Sequence, residues 1–252
     1  MFGPFNLGEG FKKYFEIVPA IDDDVRHAVY RIRHEVYCEE LRYEAERPDR
    51  MESDEYDQYS QHCLMRQSGP PLDLVGCTRL VLARRDSQDC ILPFEKLCEA
   101  SINRRIVDPA ALPRESIAEV SRLAVRSRYR RRKGDEKREV VMNKEDFGTK
   151  DMPRFPYIPV GLYLGTVALA KRQGVETLFV LTEPRLADHF SKIGVKIHPI
   201  GAPIQHRGTR LPSMMKVDEI IKGLRMFMKP LWRTINEQVD AAYEAGKHRE
   251  MA

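Results

Sequence analysis

The chain of 252 residues has no Cys-x-x-Cys pair and no two histidines at metal-ligand spacing. Its five cysteines (Cys38, Cys63, Cys77, Cys90 and Cys98) are odd in number and unpatterned. These absences speak against a disulfide framework and against a zinc or other metal centre, and predict reduced thiols in a cytoplasmic setting. The longest apolar run, from Pro159 to Ala170, falls well short of the ~20 residues a membrane helix needs. The amino terminus, MFGPFNLGEGFKKYF, lacks a basic start followed by an apolar core, so no signal peptide is expected. Net charge is only +4, because acidic stretches at 22–24 and 52–57 offset a local arginine cluster. A polyanion-coating protein is therefore not required.

What is present is enough apolar sequence, 42%, to build a sizeable core. Residues 1–13 read as a flexible arm rich in Gly and Phe. YFEIV (14–18) reads as a first strand. Asp22, Asp23 and Asp24 then supply an N-cap and favourable first-turn charge for an amphipathic helix over 23–38, with Val25, Val29, Ile32 and Val36 at helical spacing. Residues 42–59 are polar, broken by Pro48, and read as a structured loop. HCLMRQ and LVGCTRLVLA form a hairpin across SGPP. Residues 116–125 are apolar on both faces, as in a central strand. The polar segment 134–156 reads as a long loop. The helix 160–174 is apolar nearly all round, with Gly161, Gly165 and Ala168 allowing close packing. A buried strand ETLFVLT, a short helix ended by Gly194, closing strands at KIHPI and LPSMMKV, and C-terminal helices with a break at Pro230 complete the chain. The stripe Val217, Ile220, Ile221, Leu224, Met228, Leu231, Ile235 reads as packing on the domain or on a second subunit, with a membrane-surface role as the remaining alternative. The order predicts an α/β (α+β) domain over 14–212, a mixed sheet with helices on both faces, and a helical extension over 213–252.

Three separated pieces carry a resemblance: RIRHEVYCEELRYE (31–44); the acidic run Glu52-x-Asp54-x-x-Asp57; and GCTRL around Arg79 together with AEVSRLAV around Glu119 and Arg122. In this order and spacing the chain resembles the acyl-homoserine-lactone (autoinducer) synthases and N-acyl amino acid synthases of the GNAT superfamily. Within it, the chain resembles most the PEP-CTERM/exosortase system-associated acyltransferases, over roughly residues 15–205. The resemblance implies a GNAT-like fold whose central strands splay around an acyl thioester. The donor would be acyl carrier protein, through its phosphopantetheine, or acyl-CoA, with no permanently bound cofactor. It implies Glu52, Asp54, Asp57, Arg79, Glu119 and Arg122 on the acceptor side, with Arg33 as the arginine of the first helix. Tyr37 stands where autoinducer synthases more often show phenylalanine, Tyr43 where they show tryptophan, and Leu123 where they show phenylalanine, so the acceptor amine is left open.

The chemistry asks for the same residue types. An amino acid acceptor arrives as an ammonium, its α-amine having a pKa of about 8, and must lose a proton before it attacks. Glu119 is the first candidate base and Glu52 the second. Backbone amides near Leu123, Ala124 and Val125 are candidate donors to the thioester oxyanion. Glu119 and Arg122 are three residues apart, so a regular strand would point them to opposite faces; a β-bulge between them is predicted.

The cluster Arg126, Arg128, Arg130, Arg131, Arg132, Lys133, Gly134 admits several readings. It lacks the aromatic interleaving and motif context of a nucleic-acid site. A phosphate-binding turn there keeps only Gly134 of its small residues. A docking surface for acidic acyl carrier protein fits guanidinium chemistry better, and a plain charged surface is the remaining reading.

Overall fold

The structure is a computed structural model that describes residues 6–83, 91–130 and 155–250, without the side chains of residues 185 and 248–250. Eight strands form one sheet in the order β1-β2-β3-β4-β5-β8-β6, with β7 paired to β8 alone. β1 (Phe15–Pro19), β2 (Ser60–Gln67), β3 (Leu74–Leu82) and β4 (Ile117–Val125) are successive antiparallel neighbours. β5 (Thr177–Thr182) runs parallel to β4, and β8 (Thr209–Lys216) returns antiparallel to β5. β6 (His198–Pro199) and β7 (Ile204–Gln205) are short pieces on β8.

The alternation of β2 explains the two layers. Cys63 and Met65 face one side, where α4 (Tyr157–Arg172) lies in the largest apolar cluster. Leu64 faces the other side, with Val29, Ile32 and Val36 of α2 (Asp23–Arg33) and its continuation. As its composition predicts, α4 is buried continuously from Pro159 to Ala170. A Cβ added at Gly161 would stand 2.6 Å from Met65 Cε, and one at Gly165 2.6 Å from Cys63 Sγ, so only glycine lets this helix lie so near the sheet. α2 begins at the expected cap, Asp22 accepting from Val25 N–H at 2.9 Å. It runs on as a π-helical turn over His34–Glu40, a wider winding often found at functional sites.

Two expectations change. Residues 7–14 are helical, not a flexible arm: α1 (Leu7–Tyr14) is capped by Asn6 and buries Leu7 and Phe11. Its partner is α7 (Lys229–Glu250), Gly8 lying so close that a Cβ would meet Thr234 Oγ1 at 2.6 Å. The second is the boundary at residue 213: the C-terminal helices share the domain's own core, the first of the two packings expected of their stripe. Val217 and Ile220 of α6 (Val217–Gly223), with Leu231, Ile235 and Val239 of α7, belong to the same core as α4. The break between them falls at Leu224–Met228, and Pro230 sits in the first turn of α7, where a missing N–H costs nothing. Most of the segment 134–156 lies outside the described residues.

Truncating Phe11 to alanine tests the first change. Loss of a fully buried ring costs about 3–5 kcal/mol, read as a lower urea midpoint; an unchanged midpoint would mean that residues 7–14 are the free arm after all.

Candidate active site

Pairing between β4 and β5 runs from Ile117 with Thr177 to Val120 with Val180 and then stops, although β4 continues to Val125. The two parallel strands part there. The register against β3 also shifts at this point: Cys77 faces Ala124 but Arg79 faces Ser121, which leaves one extra residue in β4. This is the predicted bulge. It falls at Arg122, whose φ of 51° is the left-handed conformation of a G1-type bulge, where glycine is usual and arginine uncommon. The re-phasing puts Arg122 on the same face as Glu119 and Ser121.

Onto that face folds the polar loop before β2, pinned by ion pairs. Arg33, fully buried at the end of α2, donates Nε to Glu52 and both terminal nitrogens to Asp57 at 2.6 and 3.0 Å. Arg79 donates to Asp54 at 2.6 Å, to Asp57 at 3.1 Å and to Ser121 Oγ at 3.1 Å. Arg122 reaches Glu52 at 3.2 Å, Asp54 at 3.1 Å and Glu44 at 3.4 Å, with its guanidinium over the Tyr37 ring. Asp54 and Asp57 also cap the short 3-10 helix Glu55–Tyr59, accepting from Tyr56 N–H and Asp54 N–H. Burial alone would push the Glu52 and Asp57 carboxyls up. Arg33 outweighs it, aided by Arg122 at Glu52 and Arg79 at Asp57, and holds both below the usual carboxylate range. Beside them burial and Arg33 push His62 down to about 3, so it stays a neutral ring.

Glu119 is different. It is 4% exposed and makes no ion pair among the described residues; its Oε2 accepts from the Phe94 amide at 2.7 Å, at the start of α3 (Pro93–Leu97). Burial raises its pKa to about 7, against the pull of that N–H and of Arg79 and Arg122. A carboxyl near 7 is a far better proton acceptor than an ordinary one and is still partly ionised at neutral pH. Glu52, by contrast, has both oxygens on arginines, so it serves as an organiser and is poorly placed to be the second base expected of it.

A cavity of about 340 Å³ occupies the gap between β4 and β5, with Glu119, Arg79, Arg122 and Asp54 in its wall. Its other wall is apolar, formed by Val120, Leu123, Val180, Tyr163, Phe190 and Met215. Leu123 thus faces the cavity, whereas Ala124 packs into the α2 layer. Arg126 N–H bonds Val75 C=O at 3.0 Å beside the Val125–Gly76 pair. That geometry turns the Val125 amide away from β3, to the side that β5 has left.

The described arginines after β4, Arg126, Arg128 and Arg130, are engaged by acids of the same chain. Arg126 binds Glu35 at 2.7 Å, Arg128 binds Asp73, and Arg130, with a side chain only 4% exposed, binds Glu40. They staple this turn to the π-helical turn and the β2–β3 loop; Arg131, Arg132, Lys133 and Gly134 lie outside the described residues. The sequence reading also missed part of the wall. Glu44 bonds both Arg122 and Arg207. His206, Arg207 and Arg210 line the polar mouth from the β7–β8 turn. The one signal for that turn is Arg207-Gly208, both at positive φ as a tight hairpin demands.

Residues 32–137, which include Arg33, Glu52, Asp54, Asp57, Arg79, Arg122 and Glu119, match the family model of an acetyltransferase (GNAT) domain. The fold is GNAT-like. Solved structures share the fold over most of the chain. TofI in a ternary complex with an inhibitor and MTA is 19% identical with a TM-score of 0.57, covering 86% of this chain and 96% of that one. The CoA-dependent acyl-homoserine lactone synthase BjaI with MTA is 18% identical, TM-score 0.54, covering 89% of both. FeeM, an N-acyl amino acid synthase from uncultured soil microbes, is 12% identical, TM-score 0.52, covering 85% of this chain and 97% of that one. No curated protein matches the sequence. The match to a GNAT domain supports an acyltransferase as the enzyme class.

Two stability measurements probe the charges. Arg33→Leu takes one of two arginine partners from each of two buried carboxylates, Glu52 and Asp57, and costs on the order of 3–5 kcal/mol by urea denaturation; a near-neutral effect would show that water reaches the network. Glu119 has its folded pKa above its ordinary 4.5, so the unfolded chain releases that proton first and stability falls as pH rises from about 4.5 to about 7. Over that window the loss is on the order of 3 kcal/mol. Glu119→Gln, whose amide oxygen still accepts from Phe94, removes this slope; equal slopes in both proteins would place the Glu119 pKa in its ordinary range.

Proposed function

We propose that the protein transfers a long-chain fatty acyl group from a phosphopantetheine thioester, on acyl carrier protein or CoA, to the amine of an amino acid or similar small acceptor. The observation that carries this reading is the buried, unpaired Glu119 between the charged and apolar walls of a cavity opened by parting strands. A volume of 340 Å³ is in the range of small-molecule sites, ~300–1,000 Å³.

The thioester enters along β4, where the Val125 amide faces the gap, and its acyl chain lies against Leu123, Val180 and Phe190. The acceptor sits at the charged wall. Glu119 takes a proton from the acceptor ammonium, directly or through one water. The freed amine attacks the thioester carbonyl; the oxyanion collapses, the carbon–sulfur bond breaks, and the thiolate leaves with a proton. The products are an amide and a free thiol. Glu119 acts as base, Arg79 and Arg122 with Asp54 set the acceptor's position, and Arg33, Glu52 and Asp57 hold the loop that carries Asp54. The link to exosortase sorting rests on the sequence resemblance alone, and we place the reaction in the cytoplasm on the same reading.

A second reading is an autoinducer synthase, in which S-adenosylmethionine is the acceptor and lactone formation follows. One fold neighbour is BjaI with SAM and isopentyl-CoA. A polyanion-binding module draws no support from Arg126, Arg128 and Arg130, whose charges are engaged by acids of the same chain.

Mass spectrometry of reactions containing the protein, long-chain acyl carrier protein or acyl-CoA, mixed amino acids and S-adenosylmethionine decides among these. An N-acyl amino acid is expected, and an acyl lactone would establish the second reading. No acyl product from either donor would sink both. With the acceptor known, Glu119→Gln should lower kcat/KM by ~10²–10⁴ and abolish a pH limb near 7. A limb that survives the substitution would remove Glu119 from the role of base.

A further inference from the structure

The apolar stripe of α6 and α7 is buried, but two large apolar side chains beside it are not. Met226 is 76% exposed and Phe227 47% exposed. They stand in the turn Met226–Met228 that joins the two helices, between Leu224 and Met228, which are both buried. The turn is held by its backbone. Leu224 N–H bonds Ile220 C=O at 3.1 Å, Met228 N–H bonds Arg225 C=O at 2.8 Å, and Arg225 N–H bonds Ile193 C=O at 3.2 Å. The pair is therefore presented to solvent by a fixed piece of the fold.

The turn and its flanks in the chain carry charge of one sign. Residues 222–233 contain Lys222, Arg225, Lys229 and Arg233 and no acid, and all four are exposed. Lys222 shares its charge with Asp218 at 2.9 Å. Arg225, Lys229 and Arg233 form no ion pair among the described residues. Glu219, the other acid of α6, turns to His198 at 3.8 Å. Two protruding apolar side chains among cations are far too few for a protein interface, which takes ~20–30 residues a side. They do match what an interfacial lipid anchor needs: shallow insertion of apolar groups with cations at the phosphate level.

We propose that this turn docks the protein reversibly on an anionic lipid bilayer, Met226 and Phe227 entering the boundary between headgroups and acyl chains while Arg225, Lys229 and Arg233 meet lipid phosphates. The placement has a functional side. α5 (Pro184–Lys192), whose Phe190 belongs to the apolar wall of the cavity, ends against this turn through the Ile193–Arg225 bond. The docking surface thus borders the part of the fold suited to an acyl chain, yet it does not depend on which acyl transfer occurs there.

The test is co-sedimentation of the full chain with vesicles of phosphatidylcholine alone and of phosphatidylcholine with phosphatidylglycerol. Quenching of Trp232, the only tryptophan, by bromine-labelled lipid gives an independent reading. Wild type is expected to pellet with the anionic vesicles, to be quenched, and to be released by salt. The pair Met226→Ser with Phe227→Ser, and separately Arg225→Gln with Lys229→Gln, each weaken binding roughly tenfold or more. All four positions are exposed, so circular dichroism and turnover of a soluble thioester stay at wild-type values. Failure of the wild type to bind anionic vesicles, or binding that ignores both double substitutions, overturns the proposal. So does a dimer in light scattering that the apolar substitutions dissolve, which would assign the pair to a second copy of the chain.

Discussion

Everything around the cavity depends on three arginines being spent on three carboxylates. Arg33, Arg79 and Arg122 come from a helix and two strands; Glu52, Asp54 and Asp57 come from one short loop. Planar guanidinium forks can serve two or three carboxylate oxygens at once, which a lysine cannot do in fixed geometry. The result is a loop fastened to the sheet by charge rather than by apolar packing. It is also a local neutral balance that leaves nothing over for Glu119. That residue shares the face and sees two of the same arginines, yet it bonds neither. Burial, only partly offset by the Phe94 N–H and the two arginines, then sets its protonation. The same side-chain chemistry thus acquires two fates on one surface: carboxylates that stay charged and organise, and one that is free to exchange a proton near neutrality.

β4 is the second constraint. On one edge it must remain paired with β3 so that Arg79 and Ser121 stay in register; on the other it must release β5 to make room for a ligand. The bulge at Arg122 serves both requirements. It sharpens the local twist, which helps the strands diverge, and it aims an arginine that would otherwise point into the α4 layer. Tyr37 of the π-helical turn supports it from above, with its hydroxyl on Leu123 C=O at 3.2 Å and its ring under the Arg122 guanidinium. A wide helical turn, a left-handed arginine and a register shift are three local irregularities meeting at one place. A sequence that gives up regular structure there while keeping it elsewhere marks the site as clearly as the charges do.

Strands and helices with strong period, such as β2, β3, α2 and α4, were legible because their patterns arise from one-sided or complete burial of the element itself. The bulge was legible for a subtler reason: Glu119 and Arg122 are incompatible with a common face in a regular strand, so either the strand or the pairing of roles had to yield. What was illegible depended on distant partners. α1 is short and contains two glycines; its partners α4 and α7, about 150 and more than two hundred residues later, make it a helix worth forming. Arg126, Arg128 and Arg130 look like part of an open basic strip until Glu35, Glu40 and Asp73, placed 53 to 91 residues earlier, close on them. Charge can be counted from sequence, but its neutralisation is a tertiary fact. The polar mouth at His206 and Arg207 was hidden likewise, since a hairpin turn signals its shape and not its neighbours.

The two walls of the cavity also constrain what can be held there. At the charged end, arginines and Glu119 solvate an ammonium or carboxylate and provide a path for a proton. At the other end, Tyr163 is fully committed to the interior: its ring packs on Phe190 at 4.3 Å and its hydroxyl meets only the soft sulfur of Met215 at 3.2 Å. A polar ligand group placed among those residues would lose its hydration and regain little, whereas an alkyl chain loses nothing by leaving water. A molecule satisfied at both ends must itself be amphiphilic, polar at the charged wall and apolar at the other. That two-sided demand is the support the walls lend to the proposed transfer of a fatty acyl group to a polar amine.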